Sequence, residues 1–98
     1  MKITAVIQAK ALERYPTPAS LGCVLMINEG YVFAGVPESF HDKDERVPVY
    51  NLNELVGYVT YYRREREDGT VTVTVTVEDV ENFQGPILTT AARKAGAL

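Results

Sequence analysis

The segment YVTYYRREREDGTVTVTVTVE, residues 58–78, decides the fold of this protein. Aromatic and charged residues precede the pair Asp68-Gly69, and strict alternation of threonine and valine follows it. An Asp-Gly pair between alternating runs is a strong short-range signal for a β-hairpin, because the turn needs backbone conformations with positive φ. Residues 58–62 are also strong strand formers. The segment therefore predicts a long hairpin around Asp68-Gly69.

A helix over residues 52–66 is the alternative interpretation. Asn51 followed by Glu54 has the spacing of a helix N-terminus, with Asn51 as the cap and Glu54 bonding back to it. Gly57 counts against the helix, because glycine costs about 1 kcal/mol relative to alanine in a helix interior. The hairpin is preferred from Gly57 onward, and at least one helical turn is expected after Asn51. The apolar residues at helical spacing are Leu52, Leu55, Val56, Val59 and Tyr62.

A two-residue turn also predicts the register of the hairpin. In this register Tyr58 and Tyr62 point into the core, and Tyr61 and Arg63 join the threonine face. The threonine–valine strand is an aggregation hazard if its edge is open, so a neighbouring strand is expected to cover it, with a second subunit as one source of that strand. The predicted pairs are Glu67 with Thr70, Arg64 with Val73, Tyr62 with Val75, and Thr60 with Val77.

The N-terminal half predicts two further strand regions. Residues 2–10 alternate apolar and polar side chains and predict a half-buried strand. Residues 11–22 contain two prolines and predict a connecting loop with one helical turn at its start. The apolar runs 23–27 and 31–36 flank Asn-Glu-Gly (28–30) and predict a second hairpin.

The remaining segments complete an α+β domain. Residues 37–46 are polar without periodicity and predict an exposed loop. Residues 47–51 form a short strand in which Pro48 indicates an edge position or a strand start. Residues 86–96 predict a C-terminal helix with small residues on one side. The expected fold is a mostly antiparallel sheet of five or six strands with this helix packed on one face.

Composition limits the class of protein. The 98 residues suit a single domain spanning 1–98, and 46% hydrophobic with 23% charged residues is enough to form a core. The net charge of −3 argues against duplex nucleic acid as a partner. The single cysteine, Cys23, excludes an internal disulfide, and no apolar run approaches the ~20 residues that span a bilayer. We expect a cytoplasmic protein that does not enter the membrane.

The main candidate site is an aromatic and basic cluster. Tyrosine and arginine are enriched at binding hot spots, since each combines a large flat face with a polar head. Such a cluster suits a protein partner, or an anionic, nucleotide-like small ligand held between subunits. The competing interpretation is a solvated charge run that only keeps the hairpin soluble. The candidate residues are Tyr58, Tyr61, Tyr62, Arg63, Arg64 and Arg66.

A weaker candidate surrounds the only histidine. His41, Asp42 and Asp44 offer metal-ligating atoms, but no second histidine or spaced cysteine pair completes a zinc site, and the spacing is not that of an EF-hand. The sequence also lacks the common nucleophile, phosphate-loop and dinucleotide motifs. We expect a protein without cofactor or metal that is not an enzyme, with an enzyme or metal site in this loop as the third hypothesis.

Residues 26–40, MINEGYVFAGVPESF, resemble the N-terminal hairpin of HicB-type antitoxins. In that family a Gly-Tyr pair begins the second strand and a proline followed by an acidic residue ends it. Gly30, Tyr31, Pro37 and Glu38 carry the likeness. The resemblance implies that the helix over 52–66 forms, and that the protein neutralises a toxin partner.

The sequence therefore predicts a small non-enzymatic binding protein. We expect a homodimer, joined through strand edges, that engages a macromolecular partner with residues 58–66 and the loop 37–46. Small acidic single-domain proteins with such surfaces include antitoxin-like regulators and phage-encoded inhibitors, which are named here by analogy.

Overall fold

A computed structural model describes residues 1–26 and 30–96 of the chain, with side chains for all of these except 23–26. The strands form one antiparallel sheet in the order β1-β5-β4-β3-β2. The predicted α+β class and its C-terminal helix are confirmed. The strands are β1 (Lys2–Ile7), β2 (Tyr31–Phe33), β3 (Glu45–Asn51), β4 (Glu54–Glu65) and β5 (Val71–Asp79), and the helices are α1 (Ala9–Leu12), α2 (Pro18–Met26) and α3 (Leu88–Lys94).

The predicted long hairpin is confirmed as β4 and β5, but its turn has three residues instead of two. The Arg66 carbonyl accepts a hydrogen bond from the Gly69 N–H at 2.9 Å, and the Arg66 N–H donates to the Thr70 carbonyl at 2.8 Å. Gly69 has φ of 84°, so the turn combines a tight bend with a glycine bulge. Asp68 accepts from the Thr70 N–H at 2.9 Å. Hydrogen bonds from the Thr70 hydroxyl and N–H lower the pKa of the Asp68 carboxyl.

The longer turn moves the register by one residue. Tyr62 pairs with Thr74, not with Val75, and the shift holds along the whole ladder. Since side chains alternate between faces, a one-residue shift exchanges the two faces of β4 relative to β5. The predicted register was therefore wrong, and so was the predicted orientation of the tyrosines.

A neighbouring strand covers β5 as predicted, but it comes from the same chain and not from a second subunit. β5 lies between β4 and β1 of the same chain, and β1 pairs along it from Lys2 with Glu78 to Ile7 with Val73. The edges of the sheet are β1 and β2.

The helical turn expected after Asn51 is absent. Asn51 pairs with Glu54, and the two residues between them, Leu52 and Asn53, have φ of 51° and 68°. This is a two-residue hairpin turn in which both central residues take positive φ. The helix over 52–66 that the HicB resemblance implies is replaced by β4. The turn had no sequence signal because leucine in the left-handed region costs about 1–2 kcal/mol and is rare there.

The predicted loop 11–22 and the strand 23–27 are replaced in large part by α2. Pro18 occupies the first helical position, where its missing N–H costs nothing. Thr17 and Ser20 cap the helix reciprocally: the Ser20 N–H donates to Thr17 Oγ1 at 3.2 Å, and the Thr17 N–H donates to Ser20 Oγ at 3.1 Å. The predicted second hairpin is wrong, and its turn residues 28 and 29 lie outside the described residues.

Pro48 lies inside the sheet and not on an edge strand or at a strand start. β3 has β4 on one side and β2 on the other. The Pro48 carbonyl accepts from the Ala34 N–H at 3.0 Å, but β2 ends one residue earlier, at the pair Phe33 with Val49. The missing N–H of Pro48 therefore faces the end of β2, where only the reciprocal bond to the Ala34 carbonyl is absent, and the ladder between β3 and β4 keeps its bonds.

All three helices contribute to a core on one side of the sheet. α3 is anchored to β5 by Thr89, whose hydroxyl donates to Asp79 Oδ2 at 2.8 Å and whose N–H donates to Asp79 Oδ1 at 3.2 Å. No helix within residues 1–26 and 30–96 is long and apolar enough to cross a membrane. The core comprises Leu21, Tyr31, Val47, Val49, Val56, Val59, Tyr61, Val73, Val75, Val77, Leu88, Ala91 and Ala92.

Candidate functional site: the open face of the sheet

The register divides the sheet into two unlike faces. The helix face carries the valines of β5 together with Val59 and Tyr61 of β4, and it packs beneath the helices. The side chains of the opposite face, which we call the open face, contribute none of the described core residues. The open face consists of Lys2, Thr4, Val6, Val32, Arg46, Pro48, Tyr50, Leu55, Tyr58, Thr60, Tyr62, Arg64, Thr72, Thr74, Thr76 and Glu78.

A charged and aromatic group occupies the middle of the open face. The Arg46 guanidinium lies over the Tyr58 ring, 3.6 Å from its centroid. Arg46 Nε also donates to Glu78 Oε1 at 3.1 Å. A cation on a ring face and a charge-assisted hydrogen bond hold Arg46 in one position. The group is a prearranged patch on the sheet surface, since three different strands supply its members.

The rest of β4 extends this patch toward the hairpin tip. Tyr62 is half-buried and Arg64 is exposed, and both lie on the same side as Tyr58. Alternate residues of a strand are about 6.8 Å apart, so Tyr58, Tyr62 and Arg64 form a row roughly 20 Å long. The threonines of β5 flank that row; Thr74 and Thr76 are half-buried, whereas Thr72 is buried.

Two of the six predicted site residues lie on the other face. Tyr61 is fully buried, its hydroxyl donates to the Pro18 carbonyl at 3.4 Å, and its ring meets Phe40 edge-on at 5.6 Å. Arg63 stands on the helix face beside Glu65, at 3.6 Å. The predicted cluster is therefore not one surface: Tyr58, Tyr62 and Arg64 stay together, while Tyr61 belongs to the core.

Arg66 lies at the hairpin tip. Its backbone closes the turn, and its exposed side chain is among Glu65, Glu67 and Asp68. The negative charges of these three carboxylates offset the positive charge of Arg66, so Arg66 adds little to the attraction of an anion.

The His41 loop does not gather ligating groups. His41 Nε2 lies 3.8 Å from Glu45 Oε1, and Asp42 and Asp44 are exposed. Among the described residues, no group of three or more histidine, cysteine, aspartate or glutamate side chains is placed to hold a metal ion. The loop is attached to the sheet by its backbone, since the His41 carbonyl accepts from the Arg63 N–H at 2.7 Å.

The residues that β3 adds to the open face were not predicted from the sequence. Arg46 and Tyr50 alternate with the buried Val47 and Val49, and this period-2 pattern extends the predicted strand 47–51 by two residues. That pattern was the available signal. It could not show that Arg46 reaches Tyr58, because the pairing of β3 with β4 depends on the unpredicted turn at Leu52.

The open face differs in charge from the whole molecule. Its cations are Lys2, Arg46 and Arg64, and its carboxylate is Glu78, so the face is net positive on a chain of charge −3. Charge segregated in this way gives the face a positive local field.

Comparisons with protein-family models, with curated protein sequences and with solved structures found no match to this chain.

Proposed function

We propose that this protein is a non-enzymatic binding protein whose open face docks on an acidic surface of a partner protein. The observation that carries the proposal is the asymmetry of the sheet. Side chains of the helix face form the core, whereas the open face presents tyrosines, arginines and threonines. A solvated sheet face needs only polar residues, whereas tyrosine and arginine at its centre are typical of interface hot spots.

The chemistry of the face favours a protein over an extended nucleic acid. Arg46 is already paired with Glu78 and stacked on Tyr58, so one of the three cations is partly neutralised. The three carboxylates near Arg66 would repel a phosphate backbone that continued past Arg64 toward the tip. A small acidic patch on a partner protein could contact the cations of the open face without reaching the carboxylates at the hairpin tip. By covering such a patch, the protein would act as an inhibitor or antitoxin-like regulator of the kind that phages encode, in the cytoplasm.

The decisive test is affinity capture with matched charge reversals. Tagged wild type, Arg64→Glu on the open face and Arg93→Glu on α3 would each be used as bait, since both arginines are exposed. The identified partner would then be titrated against each variant. We expect Arg64→Glu to weaken binding about tenfold or more, equivalent to about 1.4 kcal/mol, and Arg93→Glu to leave it unchanged.

Two results would contradict the proposal. Equal loss with both variants would mean that net charge, and not the open face, governs binding. A nucleotide or single-stranded oligonucleotide that raises Tm in the wild type but not in Arg64→Glu would instead favour the anionic-ligand hypothesis.

We further propose that two copies associate through β1. The Met1 carbonyl accepts from the Asp79 N–H at 3.0 Å, and bonded positions alternate in an antiparallel ladder. Lys2, Thr4 and Val6 therefore direct their backbone N–H and carbonyl groups outward, and Val6 is 50% exposed. Antiparallel pairing of two β1 strands would close the β1 edge of each copy and join two open faces into one surface.

A further inference from the structure

A cleft on the helix face lies between α1, the loop before β3 and the hairpin β4–β5. Its volume is about 320 Å³, near the lower end of the ~300–1,000 Å³ typical of small-molecule sites. It is separate from the open face, because its residues project from the opposite side of the sheet. The lining residues are Ala9, Leu12, Pro16, Ser39, Phe40, Arg63, Val71 and Val73.

The walls of the cleft are apolar and fixed in place. Val73 is fully buried on the sheet side, and Leu12 packs against the core from α1. Phe40 is held by its edge-on contact with the Tyr61 ring. The backbone bond from the Arg63 N–H to the His41 carbonyl, at 2.7 Å, ties the Phe40 loop to β4. The walls of the cleft are preorganised for a ligand, and preorganisation lowers the free-energy cost of binding.

Arg63 gives this apolar cleft a cation. Its side chain is 34% exposed, and its ion pair with Glu65 has N···O of 3.6 Å. That distance exceeds the 2.7–2.9 Å, approximately, of a charge-assisted hydrogen bond. Glu65 is itself 59% exposed, so water competes for it. The planar guanidinium therefore retains N–H donors, and their geometry matches a carboxylate bidentately.

We propose that this cleft binds a small carboxylic acid with an apolar body, the carboxylate paired with Arg63 and the apolar body against Leu12, Val71 and Val73. Ser39 also lines the cleft, and its hydroxyl would supply an additional donor to the bound carboxylate. The pairing would replace the loose contact with Glu65 and match a partly desolvated cation with an anion of complementary shape.

Adjacent arginines provide the test. Arg63 and Arg64 are neighbours on one strand but lie on opposite faces, so Arg63→Gln and Arg64→Gln remove the same charge from different surfaces. Sodium octanoate and the neutral 1-octanol would be titrated into the ¹⁵N-labelled protein and followed through backbone amide shifts. We expect octanoate to shift the amides of Ala9, Leu12, Val71 and Val73, and to bind the wild type more tightly than octanol does.

The variants give the quantitative prediction. Arg63→Gln should raise the Kd of octanoate roughly tenfold, equivalent to about 1.4 kcal/mol, whereas Arg64→Gln should leave it unchanged. Ala9→Phe, at an exposed position of α1, should fill the cleft and weaken both probes while the amide spectrum stays dispersed.

Several results would overturn the proposal. These are an absence of octanoate shifts, shifts confined to the open face, or equal effects of Arg63→Gln and Arg64→Gln. Equal affinity for octanoate and octanol would show an apolar cleft without recognition of the carboxylate.

Discussion

At the scale of single residues, the adjacent tyrosines of β4 have opposite environments. Tyr61 is fully buried beneath Phe40, whereas Tyr62 is half-buried on the open face. Truncation of a buried aromatic residue costs about 3–5 kcal/mol, because contacts are lost and a cavity remains. We expect Tyr61→Ala to lower the free energy of unfolding by that amount, and Tyr62→Ala to lower it by less than about 1.5 kcal/mol. Urea denaturation would measure both.

A milder substitution keeps this comparison informative if Tyr61→Ala does not fold. Tyr61→Leu retains most of the apolar volume and should remain folded, yet still destabilise more than Tyr62→Leu. If the Tyr62 variants were the more costly ones, the two-residue turn would be correct and the faces of β4 would be exchanged.

For the same two tyrosines, the sequence predicted the secondary structure correctly but not the face of the sheet on which each side chain lies. The tyrosines were correctly assigned to a strand because their β-propensity agreed with the Asp-Gly signal. Their orientation depended on whether the turn contains two residues or three. The deciding feature is that Gly69 forms a bulge and Arg66 bonds to Thr70, a choice of turn type that Asp68-Gly69 alone does not specify. An error of one residue therefore moved Tyr61 from a predicted surface into the core.

At the scale of elements, Gly57 allows α3 to approach the sheet. A Cβ built on Gly57 would collide with the Glu78 carbonyl oxygen and would lie 2.9 Å from Leu88 Cδ2. The first of these neighbours is backbone in β5 and cannot rotate away. We expect Gly57→Ala to destabilise the protein by about 2 kcal/mol or more, within or above the range of ~1–3 kcal/mol for overpacked cores. Urea denaturation of the variant and the wild type would measure the difference.

Gly69→Ala is the matched control for that prediction. Nothing lies within 4 Å of a Cβ at Gly69, but its φ of 84° strains any other residue. Its cost should be about 1–2 kcal/mol, from the backbone conformation alone. If Gly57→Ala cost less than Gly69→Ala, the backbone of β5 and Leu88 of α3 would not approach Gly57 as closely as described.

The elements also show why some predictions failed. β1, β5 and α3 were predicted because each carries its own periodicity, alternating in the strands and helical at the C-terminus. The apolar run 23–27 has no period that distinguishes a strand from a buried helix. The Thr17-Pro18 start of α2 resembles a loop in sequence because Pro16 and Pro18 disfavour regular structure, although Pro18 is favourable at a first helical position.

At the scale of the whole molecule, the edges of the sheet determine how copies associate. The Thr4 N–H points away from β5, so proline at this position removes an outward donor and leaves the β1–β5 ladder bonds intact. If two copies pair through β1, wild type should elute at twice 10.9 kDa. Thr4→Pro should raise the dissociation constant of the dimer at least tenfold, or about 1.4 kcal/mol, and yield a monomer at micromolar concentration.

Thr4→Val separates the backbone effect from the side-chain effect of that substitution. Both variants lose the hydrogen bond between Thr4 Oγ1 and Thr76 Oγ1, which measures 3.1 Å, but only proline removes the N–H. Size-exclusion chromatography with light scattering should therefore find a dimer for Thr4→Val and a monomer for Thr4→Pro, and thermal unfolding should confirm that both are folded. A wild-type monomer at all concentrations would refute edge pairing, and a dimer that survives Thr4→Pro would place the interface elsewhere. A wild-type monomer would leave the open face of a single copy as the surface available to a partner.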